Sequence, residues 1–307
     1  MSNETRILTV AAIRRHKGNT EYLFNEMQSI FRPRATTKLT LSFTKLLREA
    51  LRKKLPIKAV LDAKRGILKR VTPPSAGELR EFQQLKTLLE DPERSVRVDV
   101  SSLDPTVFNL VAHHRRLRCF RQCRRIIPNY RKAKKIFDFC AKQSCNLGGP
   151  FNISPCIPFQ YVIDGCYARA HKMRWIIETK YRYCCEKVFS FANQNNDHLA
   201  VRANKWGGCC VGWWYHVAPL VRVRLGRFAV LCLVIDPGMF DKPVLLSTWL
   251  AAQENVGCDS SAHVSMYSIQ PGSAYWPDNY AGTAFGTDPN YTQTDATLIG
   301  YQSGVTC

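Results

Sequence analysis

The sequence predicts an α+β protein in two parts. A basic N-terminal part holds a small α+β domain. A nearly neutral C-terminal part holds helices, a long β-hairpin and a tail of short strands. Three observations carry this prediction. Residues 1–145 contain 32 Lys and Arg against 13 Asp and Glu, whereas residues 146–307 contain 12 against 11. The formal charge of +20 therefore lies almost wholly in the first part, and after Lys242 there is no Lys or Arg. Such a split assigns different jobs to the two parts and argues against a nucleic-acid partner for the second. Asp164-Gly165 is a turn and helix-start signal ahead of Cys166–Thr179. Val211–Arg224 and Phe228–Asp236 are β-rich runs joined by Leu225-Gly226-Arg227.

The elements follow in order. Ile7–Ile13 reads as a strand and Glu21–Phe31 as a short helix. Leu39, Leu41 and Phe43 alternate as in a strand, and Leu46–Leu55 has helical spacing. Ile57–Leu61 and Ile67–Val71 read as strands separated by a turn at Gly66. Pro73-Pro74 breaks the chain, and Ser75 caps a helix over 76–90 with Glu78 three residues on, a capping box. These elements give a small domain over about 38–100 within an N-terminal region 1–110. Residues 111–135 form a basic linker, an exposed and protease-sensitive type of segment. Its His113, His114, Cys119 and Cys123 match no common zinc spacing. From 136 to 307 the second domain follows. It has a helix over Ala133–Gln143, an extended entry at Phe159–Ile163, the Cys166 helix, the hairpin, and a Gly/Ser/Tyr/Asn-rich tail read as short strands and loops.

Residues 136–307 hold eleven of the 13 cysteines. If Cys166 stays free, an even number remains, as expected of an oxidised, secreted domain. Cys145 and Cys156 flank a Gly-Gly-Pro loop as a local pair. No apolar run reaches the roughly 18–20 residues of a membrane span. The N-terminus lacks a signal-peptide pattern, so an exported protein would have lost a leader or used another route.

Cys166, His216 and Asp236 follow one another in the order of a thiol hydrolase or acyl transferase. A thiolate is the nucleophile, and the first turn of a helix favours it through unpaired N–H groups and the positive end of the dipole. The same N–H groups suit an oxyanion. His171 lies about 500° further round the helix and points away from Cys166. His216 is the better partner. A hairpin turn centred on Gly226 pairs 224 with 228 and 220 with 232. It then sets His216 opposite Asp236 on one face, with Cβ atoms about 4.5–5.5 Å apart. A bulge at the glycine would shift that register. Trp214, on the face of His216, is a candidate wall of the substrate slot, while Trp213 and Tyr215 read as sheet packing. Gln160, six residues before Cys166, is a candidate oxyanion donor.

The runs CIPFQYVIDGCYARAHKM, CCVGWWYHVA and VIDPGMF, in this order, resemble bacterial protein-glutaminase, the protein-glutamine deamidase, over roughly residues 126–270. The resemblance implies a transglutaminase- and papain-like α+β core with Cys166 as nucleophile, His216 as general base and Asp236 as orienting acid. It implies no metal or cofactor. It also implies a secreted proenzyme whose pro-region covers the site and is cut away, and residues 38–95 resemble that pro-region more loosely. The implied partners are proteins or peptides with accessible glutamine, the chain's own pro-region as intramolecular inhibitor, and an activating protease. The rival reading keeps the triad in an effector delivered into a host cell, deamidating or transglutaminating a target. The basic N-terminal part would then be the targeting segment.

Overall fold

The computed structural model describes residues 4–33, 37–62, 65–80, 82, 126–192, 197–225, 229–278, 284–304 and 307. The N-terminal elements are β1 (Glu4–His16), β2 (Asn19–Phe24), β3 (Met27–Pro33), α1 (Thr37–Lys53), β4 (Pro56–Asp62) and β5 (Ile67–Thr72). The C-terminal elements begin with α2 (Tyr130–Ala141), α3 (Cys166–Thr179) and β6 (Glu186–Phe191). Then come β7 (Leu199–Arg202), β8 (Cys210–Trp213), β9 (Tyr215–Leu225), β10 (Ala229–Val234) and β11 (Val244–Leu245). The last are α4 (Leu246–Ala251), β12 (Met266–Gln270), β13 (Ala274–Pro277), β14 (Phe285–Thr287) and α5 (Thr292–Gly300).

The N-terminal strands run in the order β2-β1-β4-β5-β3, and β2 also pairs with β3, closing the five on themselves. Their interior holds Leu8, Phe24, Phe31, Ile57, Leu61 and Leu68, with Phe43, Leu47 and Ala50 of α1 packed on it. The spacing of 43, 47 and 50 is helical, so the alternation at 39–43 belongs to the start of α1 and not to a strand. The helix expected over Glu21–Phe31 is the β2–β3 hairpin, which turns at Asn25-Glu26. Tyr22, Leu23 and Phe24 are all buried, so these residues show no alternation to separate strand from helix. Ser75 and Glu78 form the expected capping box, Ser75 N–H donating to Glu78 at 2.8 Å and Glu78 N–H to Ser75 Oγ at 3.3 Å. Beyond residue 82 that helix, and the His113–Cys123 cluster, lie outside the described residues.

The C-terminal part is built on a five-stranded sheet, β11-β10-β9-β6-β12. Helices α2 and α3 pack on one face of it through Ile136, Phe137, Ala170, Ile176 and Ile177, against Phe189, Val217 and Val221. Leu23 of β2 joins this same core. Trp249 of α4 closes the other face with Val188, Ala218 and Val234. The run 211–224 is not one strand. It divides at Trp214 into β8 and β9, which belong to different sheets. Strand β8 pairs with β7 and meets β3 of the N-terminal part at Ser29–Trp213. The hairpin register is also shifted by two from that expected: Leu220 faces Val234 and Leu225 faces Ala229. The tail contains a helix, α5, besides its short strands. Residues 127–135, assigned to the linker from sequence, belong with the C-terminal fold: Ile127 bridges to Val223 of β9, and α2 starts at Tyr130 behind its cap Asn129. No helix among the described residues is long and apolar enough to cross a membrane.

Among the described residues, disulfides join Cys145 to Cys156, Cys209 to Cys307 and Cys210 to Cys258, and Cys184 is disulfide-bonded as well. Cys166 is not the lone free thiol. Cys140, Cys185 and Cys232 are also free and buried, occupying apolar positions where cysteine serves as a small hydrophobe.

Candidate active site

Helix α3 starts at Cys166 because Gly165 turns the chain with φ 83°, a left-handed conformation that glycine adopts without strain. A Cβ at this position would also lie 2.8 Å from the Tyr301 ring. Asp164 anchors the turn. Its carboxylate accepts from Tyr301 Oη at 2.8 Å and from the backbone N–H of Gln28 at 3.0 Å. Arg169, one turn into α3, donates to the carbonyls of Asp164 and Tyr161. Cys166 is thereby held at the first turn, where the helix leaves N–H groups unpaired.

Helix α3 packs against β9, the strand that carries His216. Burial pushes the thiol pKa up, outweighing Arg169 and the Val217 N–H, which favour the thiolate. The thiolate expected from the helix dipole is thus opposed by burial. His216 Nε2 lies 2.9 Å from Asp236 Oδ2. Its Nδ1 is buried without a hydrogen-bond partner among the described residues. The two side chains meet although their backbones are not directly opposite. A register slip of two preserves the face, so the contact becomes diagonal instead of lost. Trp249 Nε1 gives Asp236 Oδ2 a second hydrogen bond, at 2.9 Å. Burial raises the Asp236 pKa, but the bonds from His216 and Trp249 bring it below the usual carboxylate value.

Around this pair lies a cavity of about 320 Å³ lined by Phe159, Val162, Arg169, Trp213, His216 and Asp236, among others. Trp213 stacks on the His216 ring at 4.6 Å. Trp214, expected as the slot wall, instead packs in the core against Phe191 and Tyr215, and its indole N–H donates to Met27 O at 2.7 Å. The chain break between β8 and β9 falls at this residue and exchanges the parts expected of the two tryptophans. Gln160 donates its Nε2 to Gln302 O at 3.1 Å, so in this arrangement its amide is engaged by the C-terminal segment. His171 faces away from Cys166, as the helical angle predicts, and packs against Lys187. Trp249 carried no signal in the sequence, because its contact with Asp236 is made by a helix docked from elsewhere in the chain.

The N-terminal part reaches this site through Met27–Ser29. Trp214 N–H donates to Gln28 O at 3.1 Å, and Ser29 Oγ donates to Ile163 O. The Gln28 carboxamide is fully buried, and neither its Oε1 nor its Nε2 has a partner among the described residues.

The sequence model of a glutaminase family matches residues 133–253. A comparison with curated proteins finds no match. Among solved structures, pro-protein-glutaminase aligns over 98% of this chain and 93% of its own, with 26% identity and a TM-score of 0.72. The crystal structure of protein-glutaminase covers 60% of this chain and 92% of its own length, at 34% identity and TM-score 0.52. The NMR structure of protein-glutaminase from Chryseobacterium proteolyticum gives 35% identity over 58% of this chain and 89% of its own, with a TM-score of 0.51. The chain belongs to the protein-glutaminase family. It is an amidohydrolase with the mixed α/β fold of that family, in a form that includes an N-terminal pro-region.

Proposed function

We propose that the chain is a proenzyme that hydrolyses the side-chain carboxamide of protein-bound glutamine through Cys166, His216 and Asp236. The carrying observation is the His216–Asp236 pair at 2.9 Å together with a cysteine at the N-terminus of a helix packed on β9, the strand of His216. These parts fit a transglutaminase- and papain-like core. Asp236 fixes the proton on Nε2 and leaves Nδ1 to exchange a proton with the thiol. The Cys166 thiolate attacks the carboxamide carbon, and the oxyanion is held by N–H groups at the start of α3. The protonated His216 gives its proton to the departing nitrogen, so ammonia leaves and an acyl-thioester remains. His216 then takes a proton from water, which attacks the thioester and releases glutamate and the thiol.

The N-terminal region acts as the inhibitor. Its Met27–Ser29 segment lies on Trp213, Trp214 and Asp164, and burial keeps the thiol protonated. The match of this chain to the pro-form along its length, and to the shorter enzyme along its C-terminal part, supports this division. Because Ile127 already belongs to the C-terminal fold, activating cleavage falls within 111–126. The disulfides favour a secreted location. The test is ammonia release from a glutamine-containing protein before and after limited proteolysis, with Cys166→Ala as control. Release by the cut wild type is expected. No release from it would refute the reading, and equal release by the intact chain would refute inhibition alone. Labelled-amine incorporation exceeding ammonia release would replace hydrolysis by transglutamination.

A further inference from the structure

The N-terminal and C-terminal parts also meet away from Cys166, in a cluster that the deamidation chemistry does not use. His16 ends β1, while His198 precedes β7 and Asp259 follows Cys258. The two imidazoles lie with centroids 4.1 Å apart and planes tilted by 31°. His198 Nδ1 lies 2.8 Å and His16 Nε2 3.8 Å from the same atom, Asp259 Oδ2. One ligand atom from each residue falls within 4.8 Å of the others, and both histidines are buried. The other carboxylate oxygen is already committed. Asp259 Oδ1 accepts from Lys17 Nζ at 2.8 Å, Ser261 N–H at 2.9 Å and Ser261 Oγ at 2.7 Å. Oδ2 is left turned toward the two rings.

An outer shell stands behind these three. His198 Nε2 lies 2.9 Å from Glu21 Oε2. Glu21 is fully buried and is itself held by Arg14 at 3.1 Å and Arg32 at 2.8 Å. A carboxylate on the far nitrogen of an imidazole is the arrangement that fixes a metal-ligating histidine and raises its basicity. The backbone is firm at the same place: His198 bridges to Ala262, and Cys258 is disulfide-bonded to Cys210. Two imidazoles and one carboxylate are a set that suits Zn²⁺, with water completing a tetrahedron. Oxygen-seeking Ca²⁺ and Mg²⁺ are poorly served by two nitrogens.

We propose that His16, His198 and Asp259 form a zinc site that clasps the N-terminal part to the C-terminal part, with Glu21 orienting His198. Zinc would cross-link β1 to the loop after Cys258 and stabilise the form in which the two parts are joined. The site is separate from Cys166, and its binding test is independent of deamidase activity.

The test uses the full chain carrying Cys166→Ala, stripped of metal and titrated with Zn²⁺ by calorimetry, beside His16→Gln and Asp259→Asn in the same background. Asp259→Asn is isosteric and safeguards the comparison if His16→Gln folds poorly; far-UV circular dichroism checks both. One equivalent of Zn²⁺ should bind, at least tenfold more weakly in either variant, with no comparable uptake of Ca²⁺. X-ray absorption of the zinc-loaded chain should show imidazole scattering and nitrogen or oxygen ligands at about 2.0–2.2 Å. Absence of saturable uptake, equal uptake by the parent and both variants, or a sulfur shell near 2.3 Å would overturn the proposal.

Discussion

Replacing Asp236 by Asn tests the arrangement at its centre. Asp236 Oδ2 accepts from both His216 Nε2 and Trp249 Nε1 at 2.9 Å. Asparagine keeps the shape but loses the charge and offers one acceptor where two donors converge. If its NH₂ turns toward His216, Nε2 must become the acceptor, and the proton moves to Nδ1, the nitrogen needed by the thiol. With the charge centres about 4–5 Å apart and an effective dielectric near 20, the lost attraction for an imidazolium is about 4 kcal/mol. At about 1.36 kcal/mol per decade that is nearly a thousandfold in rate. The tautomer change adds to it, so kcat should fall by about 10³–10⁴. The assay is ammonia release by the proteolytically cut enzyme, with circular dichroism to verify the fold and KM measured alongside. A loss confined to KM, or a kcat within tenfold of the parent, would refute the assignment of Asp236 as the residue that holds His216.

Two further outcomes follow from the same geometry. Trp249→Phe removes one donor to a buried carboxylate, a loss of about 1.5–3 kcal/mol in stability for a charged acceptor. Asp236 has a lowered folded-state pKa, so the stability it contributes is present above its unfolded value near 3.9 and fades as pH falls through the folded value. Denaturant unfolding should therefore show a parent–variant gap that is wide at pH 7 and narrows in acid; a pH-independent gap would leave only the cavity made by the smaller ring. Gly165→Ala places a Cβ at φ 83° and 2.8 Å from the Tyr301 ring. It should cost about 2–4 kcal/mol in urea unfolding, whereas Gly77→Ala, with open space around its Cβ, should cost little. Similar costs at both would mean that the turn before Cys166 tolerates a side chain.

The local signals in the chain were sufficient for several of these features. Asp164-Gly165 announces a helix start because a left-handed residue must reverse the chain there. The parity of a β-strand is likewise local: since a slip of two is even, either register continued past Val234 brings Asp236 to the side of His216, where the two side chains meet. The basic character of the N-terminal part is legible for a similar reason, because composition needs no contacts to be read. What failed were positions whose partners lie far away in sequence. Residues 22–24 and 27–31 are strands with one face in the N-terminal core and the other, through Leu23 and Ile30, against the C-terminal core, and burial on both sides removes the alternation that identifies strands. Trp213 and Trp214 exchanged parts because the strand divides where β3, from the opposite end of the chain, hydrogen-bonds to Trp214. The second hydrogen bond to Asp236 comes from Trp249, whose helix reaches the site by packing on the sheet. The sequence alone determined which residues sit at the start of α3 and on one face of β9 and β10, since both follow from local backbone periodicity. Tertiary structure decided which aromatic side chain flanks the imidazole, that the thiol is buried, and that His16 meets His198 and Asp259, because each depends on surfaces that come together only when distant segments pack.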